Sequence, residues 1–153
     1  MTLRKIISGG QTGADRAALD WAIKRGIPYG GWCPKGRRCE DGVIDQRYRL
    51  VETPSHGYSQ RTEWNVRDSE ATALFSIRKE LRDGSLLTAE LAAQYNKPVI
   101  HLCQENEQTN HAQELRSFIE KFKISVLNVA GPRASGEPDV YQFVLSVLDQ
   151  AIH

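Results

Sequence analysis

Apolar residues in this chain fall into short continuous runs, and between the runs they recur every three or four positions. The runs predict strands near residues 3–8, 29–33, 71–77, 98–102 and 125–129. The helical spacing predicts helices over 15–25, 61–70, 86–95, 112–122 and 139–152. In the first helix Ala18, Trp21 and Ala22 face inward and Gly26 supplies the stop. In the fourth, Leu115, Phe118, Ile119 and Phe122 share a face; in the last, Val140, Phe143, Val144, Val147, Leu148 and Ala151 form an apolar stripe. Strands alternating with helices predict an α/β fold: a three-layer arrangement with a mainly parallel central sheet and helices on both faces. Residues 34–56 stand apart as a long irregular connection rich in glycine and charge, a length more often functional than idle.

Size and charge narrow the classes. A chain of 153 residues is expected to form a single domain with a genuine core. A formal net charge of +1 gives no bulk electrostatic case for nucleic acid or a membrane as partner. The apolar runs are too short to span a bilayer and no signal-peptide pattern opens the chain, so the expected location is cytoplasmic. Cys33, Cys39 and Cys103 lack metal-ligand spacing and the four histidines are scattered, which predicts reduced thiols and no metal site.

The chemistry concentrates in the turn Gly9-Gly10-Gln11-Thr12-Gly13-Ala14-Asp15, between the first strand and the first helix. Such a turn aims the unpaired N–H groups and positive end of a helix at the space above the strand end, and glycine lets an anion come close. It is neither the dinucleotide fingerprint nor a P-loop. The bland alternative is a tight connection in which Thr12 and Asp15 act as a capping pair.

Ligands of parallel sheets sit beyond the carboxyl ends of the strands, so the segments following each strand are candidates. They supply fixed cations (Lys35, Arg37, Arg38, Arg133), hydroxyls (Thr12, Ser85, Thr88, Ser135) and glycines (Gly84, Gly131). Backbone amides, hydroxyls and guanidinium forks together suit a phosphate or similar oxyanion. Trp32 or Trp64 is available to stack on a ring, although tryptophan more often packs. Asp15 and Asp68 are the candidate carboxylates, and Cys33 lies beside cations.

Four blocks together resemble one family: residues 7–20, residues 30–37, the set Tyr58, Arg61-Thr62, Asn65-Val66 and Asp68-Ser69, and residues 127–135. They resemble the molybdenum-cofactor carrier proteins, within the Rossmann-like superfamily that also holds the cytokinin phosphoribohydrolases. The resemblance implies a dimer or tetramer binding a phosphorylated small-molecule ligand, the molybdenum cofactor (molybdopterin), for delivery to molybdoenzymes. On this chain Gly9, Gly10, Thr12 and Gly13 would cradle the phosphate, with Gln11 and Asp15 of the same turn also among the binding residues. Lys35, Arg37 and Arg133 would neutralise it, and Gly84, Ser85, Thr88, Gly131 and Ser135 would complete the pocket. No residue is assigned a catalytic role. The superfamily's hydrolases carry a glutamate where this chain has Thr88, and Glu90 lies on another side of the helix. A threonine cannot supply the carboxylate that N-glycosidic cleavage needs. A nucleotide-processing enzyme and a nucleotide-sensing module remain the alternatives.

Overall fold

The computed structural model describes residues 2–153. In chain order the elements are β1 (Lys5–Ile7), α1 (Ala14–Arg25), β2 (Tyr29–Gly30), β3 (Trp32–Cys33), β4 (Arg38–Cys39), β5 (Gly42–Val43) and β6 (Val51–Glu52). They continue with α2 (Tyr58–Arg67), β7 (Ala71–Ser76), α3 (Asp83–Gln94), β8 (Val99–Cys103), α4 (His111–Phe122), β9 (Val126–Ala130) and α5 (Val140–Ala151). Five strands form the central sheet in the order β2-β1-β9-β7-β8, every neighbouring pair parallel. The expected α/β fold with a parallel sheet is what the chain adopts.

All six residues of β7 are buried, as its position between β8 and β9 requires. Ala71, Ala73 and Phe75 join the main core, which also takes in the inner faces of α1, α4 and α5. Strand pleating then turns Thr72, Leu74 and Ser76 to the opposite face, where α3 packs on β7 and β8 and α2 packs on α3. The α5 stripe is buried throughout. On α4, Leu115, Phe118 and Ile119 are buried, but Phe122 at the helix end stays 45% exposed, packed edge to face with Phe118. Gly26 ends α1 in the left-handed conformation, φ 67°.

Starting the count at β7 gives the spatial order 2-1-3-4-5, a doubly wound arrangement that this chain enters at its fourth strand. The order reverses between β7 and β9, so the crevice beyond their carboxyl ends is where such a sheet binds ligands.

The strand expected over 29–33 is divided at Gly31. Its φ is 134°, and a Cβ there would lie 2.3 Å from the Ser8 carbonyl oxygen, so only glycine lets the chain leave the main sheet at this point. Beyond it, β3 pairs with β6 and is held from its other side by an amide: the Trp32 N–H donates to Asn65 Oδ1 at 2.7 Å, and Asn65 Nδ2 donates to the Trp32 carbonyl at 3.0 Å. The long connection is anchored by a small core of its own, Leu19, Cys33, Cys39, Ile44 and Tyr48.

Candidate functional site

A cavity of about 690 Å³ opens at the carboxyl ends of β7 and β9, between the first turn, the start of α2, the start of α3 and residues 128–137. Of the residues singled out from sequence, it brings together Gly9, Gln11, Asp15, Gly84, Ser85, Thr88, Gly131, Arg133 and Ser135. Gly10, Thr12, Gly13, Lys35 and Arg37 lie outside its lining.

The residues outside have identifiable jobs. Gly10 backs onto Ile44 and Leu50 of the long connection. Gly13 lies against the backbone of Pro132 and Ala134, and the Ala14 N–H donates to the Pro132 carbonyl at 3.2 Å. Thr12 donates its hydroxyl proton to Glu40 and accepts the Ala134 N–H at 3.1 Å. The guanidinium of Arg37 donates to the carbonyls of Ile44 (3.0 Å), Asp45 (2.8 Å) and Tyr48 (2.7 Å), so it staples its own loop. Lys35 is exposed on that loop.

Thr12 and Asp15 do not form a capping pair. The N-cap of α1 is Gly13, with no side-chain cap bond. Thr12 turns to Glu40, and Asp15 Oδ2 accepts the Gln11 N–H at 3.3 Å. Asp15 also lies 3.6 Å from Arg61 Nη1, which donates to the Gly9 carbonyl at 2.8 Å. Burial raises the Asp15 carboxyl from 3.8 to about 6, against the opposing pull of Arg61 and the Gln11 amide.

Glu40 ties the first turn to the loop after β9. Its N–H donates to Gln11 Oε1 at 2.9 Å, while its carboxylate accepts the hydroxyls of Thr12 and Ser135 and the Ser135 N–H. Desolvation works against its charge, but these hydrogen bonds and the nearby Arg133 hold it below the usual carboxylate range. Gln11 Oε1 is thus occupied, accepting the Thr12 N–H as well. Gln11 Nε2 is buried and has no partner among the described residues.

At the other end of the cavity, α3 starts at Asp83, earlier than the expected residue 86, with φ 48° there and no side-chain cap on its N-terminus. Thr88 Oγ1 donates to the Gly84 carbonyl at 2.7 Å. Ser85 is buried, with 6% of its surface exposed, and lines the cavity.

The expected ring-stacking tryptophans do not face the cavity. Trp32 and Trp64 pack edge to face on each other at 4.7 Å, and Trp32 Nε1 donates to Asp68. Asp68 is committed there and to Arg67, whose hydrogen bonds hold its carboxyl low. Burial pushes the Cys33 thiol up, which suits a packing role. Among the described residues no three His, Cys, Asp or Glu side chains are grouped to hold a metal ion.

Sequence reasoning passed over Arg61 and Tyr58 as site residues, although both line the cavity. Arg61 and Asn65 are buried one turn apart on α2. Their polarity reads as a solvent face, and the one signal available was their place in the family resemblance.

The model of the circularly permutated YpsA SLOG family matches residues 6–152. A crystal structure from Syntrophus aciditrophicus SB, named "Putative molybdenum carrier protein", is 46% identical with a TM-score of 0.94, over 99% of this chain and 96% of that one. No curated protein matches. A parallel sheet entered at its fourth strand and a family match across nearly its whole length place this chain in the circularly permutated YpsA SLOG family.

Proposed function

We propose that this chain is a binding and carrier protein for a phosphate-bearing small molecule, with the molybdenum cofactor (molybdopterin) as its ligand. The observation that carries the reading is Gln11 Nε2, a buried amide donor without a partner, in a cavity also lined by Arg61 and Arg133. An unmatched buried donor costs about 1–3 kcal/mol unless a ligand acceptor meets it. The donors present fit an anionic ligand: amide, guanidinium and the Ser85 hydroxyl, with no protein metal ligands required. The name of the 46% identical relative favours the molybdenum cofactor within that class. The same reading has the chain acting in the cytoplasm as a homo-oligomer that passes its ligand to molybdoenzymes.

One observation favours a second reading, a nucleotide-processing enzyme. A cavity carboxyl at about 6, that of Asp15, exchanges its proton near neutral pH. Its engagement by Arg61 and the Gln11 amide counts against such a role.

Mass spectrometry of small molecules released from the natively purified protein tests both. Expression in a host that makes the cofactor should yield a phosphorylated pterin, and expression in a host unable to make it should not. A nucleotide recovered from both hosts, or free base released from nucleoside monophosphates, would overturn the carrier reading. Arg133→Ala should weaken binding of the phosphorylated ligand by about 1.5–3 kcal/mol, the range for a charged hydrogen bond, as calorimetry would measure.

A further inference from the structure

Strand β8 is the longer of the two edges of the central sheet, five residues against two in β2. In its parallel register with β7, the Pro98 carbonyl accepts the Thr72 N–H at 3.0 Å and the Gln104 N–H donates to the Ser76 carbonyl at 2.9 Å. Even-numbered positions therefore bond β7, and the backbone N–H and C=O groups of Val99 and His101 point to the open side. The next acceptor on that side, the Cys103 carbonyl, is already taken by His111 Nε2 at 2.8 Å and the Asn106 N–H at 3.1 Å. Folded chains blunt such edges with charge, proline or a bulge. The run Val99-Ile100-His101-Leu102-Cys103 contains none of these.

Beside this edge lies a groove of about 490 Å³, between Ile100 of β8 and a stripe of α4 made of Glu114, Ser117, Phe118, Lys121 and Phe122. Phe122 stays 45% exposed there. Glu114 and Lys121 stand seven residues apart on the stripe, about 10 Å along the helix axis, too far to pair with each other. Neither forms an ion pair elsewhere among the described residues. The stripe thus carries opposite charges at its two ends. A two-fold axis through its middle, at Ser117 and Phe118, sets Glu114 against the partner's Lys121 and Lys121 against the partner's Glu114. Such self-complementarity is what an interface between identical copies requires. An axis that reverses α4 also reverses β8, and Ile100 shares the groove with Ser117 and Phe118. The two edges then meet antiparallel about Ile100, where Val99 exchanges backbone hydrogen bonds with the partner's His101.

We propose that β8 and α4 form the face on which a second copy of this chain docks, two-fold related, joining the two sheets edge to edge. This inference rests on the homo-oligomer reading above, gives that oligomer its face, and is independent of what the cavity binds.

Sedimentation velocity over a concentration series tests it. Wild type should sediment at least as a dimer. Glu114→Lys sets a lysine against the partner's Lys121 at both contacts and should weaken the dimer about tenfold. Adding Lys121→Glu restores opposite charges and should bring the dimer back, a rescue that mere loss of helix stability would not give. Val99→Pro removes an N–H that β7 does not use, and should break the dimer while each copy stays folded by circular dichroism. Should that variant unfold, the charge exchange alone decides. A wild type that stays monomeric at its highest soluble concentration would overturn this face together with the homo-oligomer reading. An oligomer untouched by Glu114→Lys and by Val99→Pro would overturn the face alone and leave that reading standing. Weakening by Glu114→Lys that Lys121→Glu does not repair would overturn the two-fold pairing and the proposal with it.

Discussion

Replacing Gly13 by alanine is expected to destabilise the protein by about 3 kcal/mol or more, and to disorder the cavity wall along with it. Two costs combine. The residue has φ 82° and ψ −125°, a region that side-chain-bearing residues enter at about 1–3 kcal/mol. Its added Cβ would also lie 2.5 Å from the Pro132 oxygen and 2.8 Å from the Ala134 nitrogen, both backbone atoms. Backbone cannot rotate aside as a side chain can, and overpacking of this kind costs about 1–3 kcal/mol more. The segment carrying Arg133 would have to retreat from the first turn. In thermal unfolding the combined loss corresponds to a fall of roughly 10 °C for a chain of this size. Gly36→Ala separates the two costs. Gly36 has the same φ of 82° with nothing within 4 Å, so it should lose only the conformational part, about 1 kcal/mol. Equal losses in the two variants would show that the close approach of residues 132–134 to the turn is not what requires glycine.

That contact shows where the sequence stops being legible. The α5 stripe and the apolar run of β7 could be read because burial repeats with the period of the element itself. Strand order has no such local signature: β9 sits between β1 and β7 because helices pack that way, not because of anything in residues 126–130. The break at Gly31 depends on the Ser8 carbonyl, and the α2 start at Tyr58 carries no side-chain cap to announce it. The arginines are the clearest case. Arg37 and Arg61 are the same residue with opposite fates, one consumed by carbonyls of its own loop and one buried in the cavity wall. Charge and neighbours in sequence made Arg37 the better candidate. What decided otherwise is the way residues 37–48 fold back on themselves, a contact pattern invisible at the level of composition. The first turn lines the cavity at Gly9, Gln11 and Asp15, yet the orphaned Gln11 amide emerges only once Glu40 has taken the other end of that side chain.

The buried carboxyl of Asp15 should give stability a distinctive pH dependence. Its folded value of about 6 lies above the ordinary 3.8, so between these the folded state holds a proton that the unfolded chain has released. Stability therefore falls as pH rises through this window. The contribution is fully present below about 3.8 and lost as pH passes about 6, and the whole change amounts to about 3 kcal/mol. His101 acts the other way: burial lowers its value, so its contribution is lost as pH falls. Comparing wild type with Asp15→Asn isolates the carboxyl, since asparagine keeps an oxygen for the Gln11 N–H but cannot titrate. Denaturant unfolding from pH 4 to 7 should show the wild type losing about 2 kcal/mol relative to the variant. A parallel pair of curves would place the Asp15 value near that of a solvated carboxylate. Ligand binding should follow the same proton. Asp15 lines the cavity and pairs with Arg61, so its protonation removes a negative charge facing the anion and frees a guanidinium. Sulfate, which does not titrate in this range, should bind several-fold more tightly at pH 5 than at pH 7, and Asp15→Asn should bind it equally well at both.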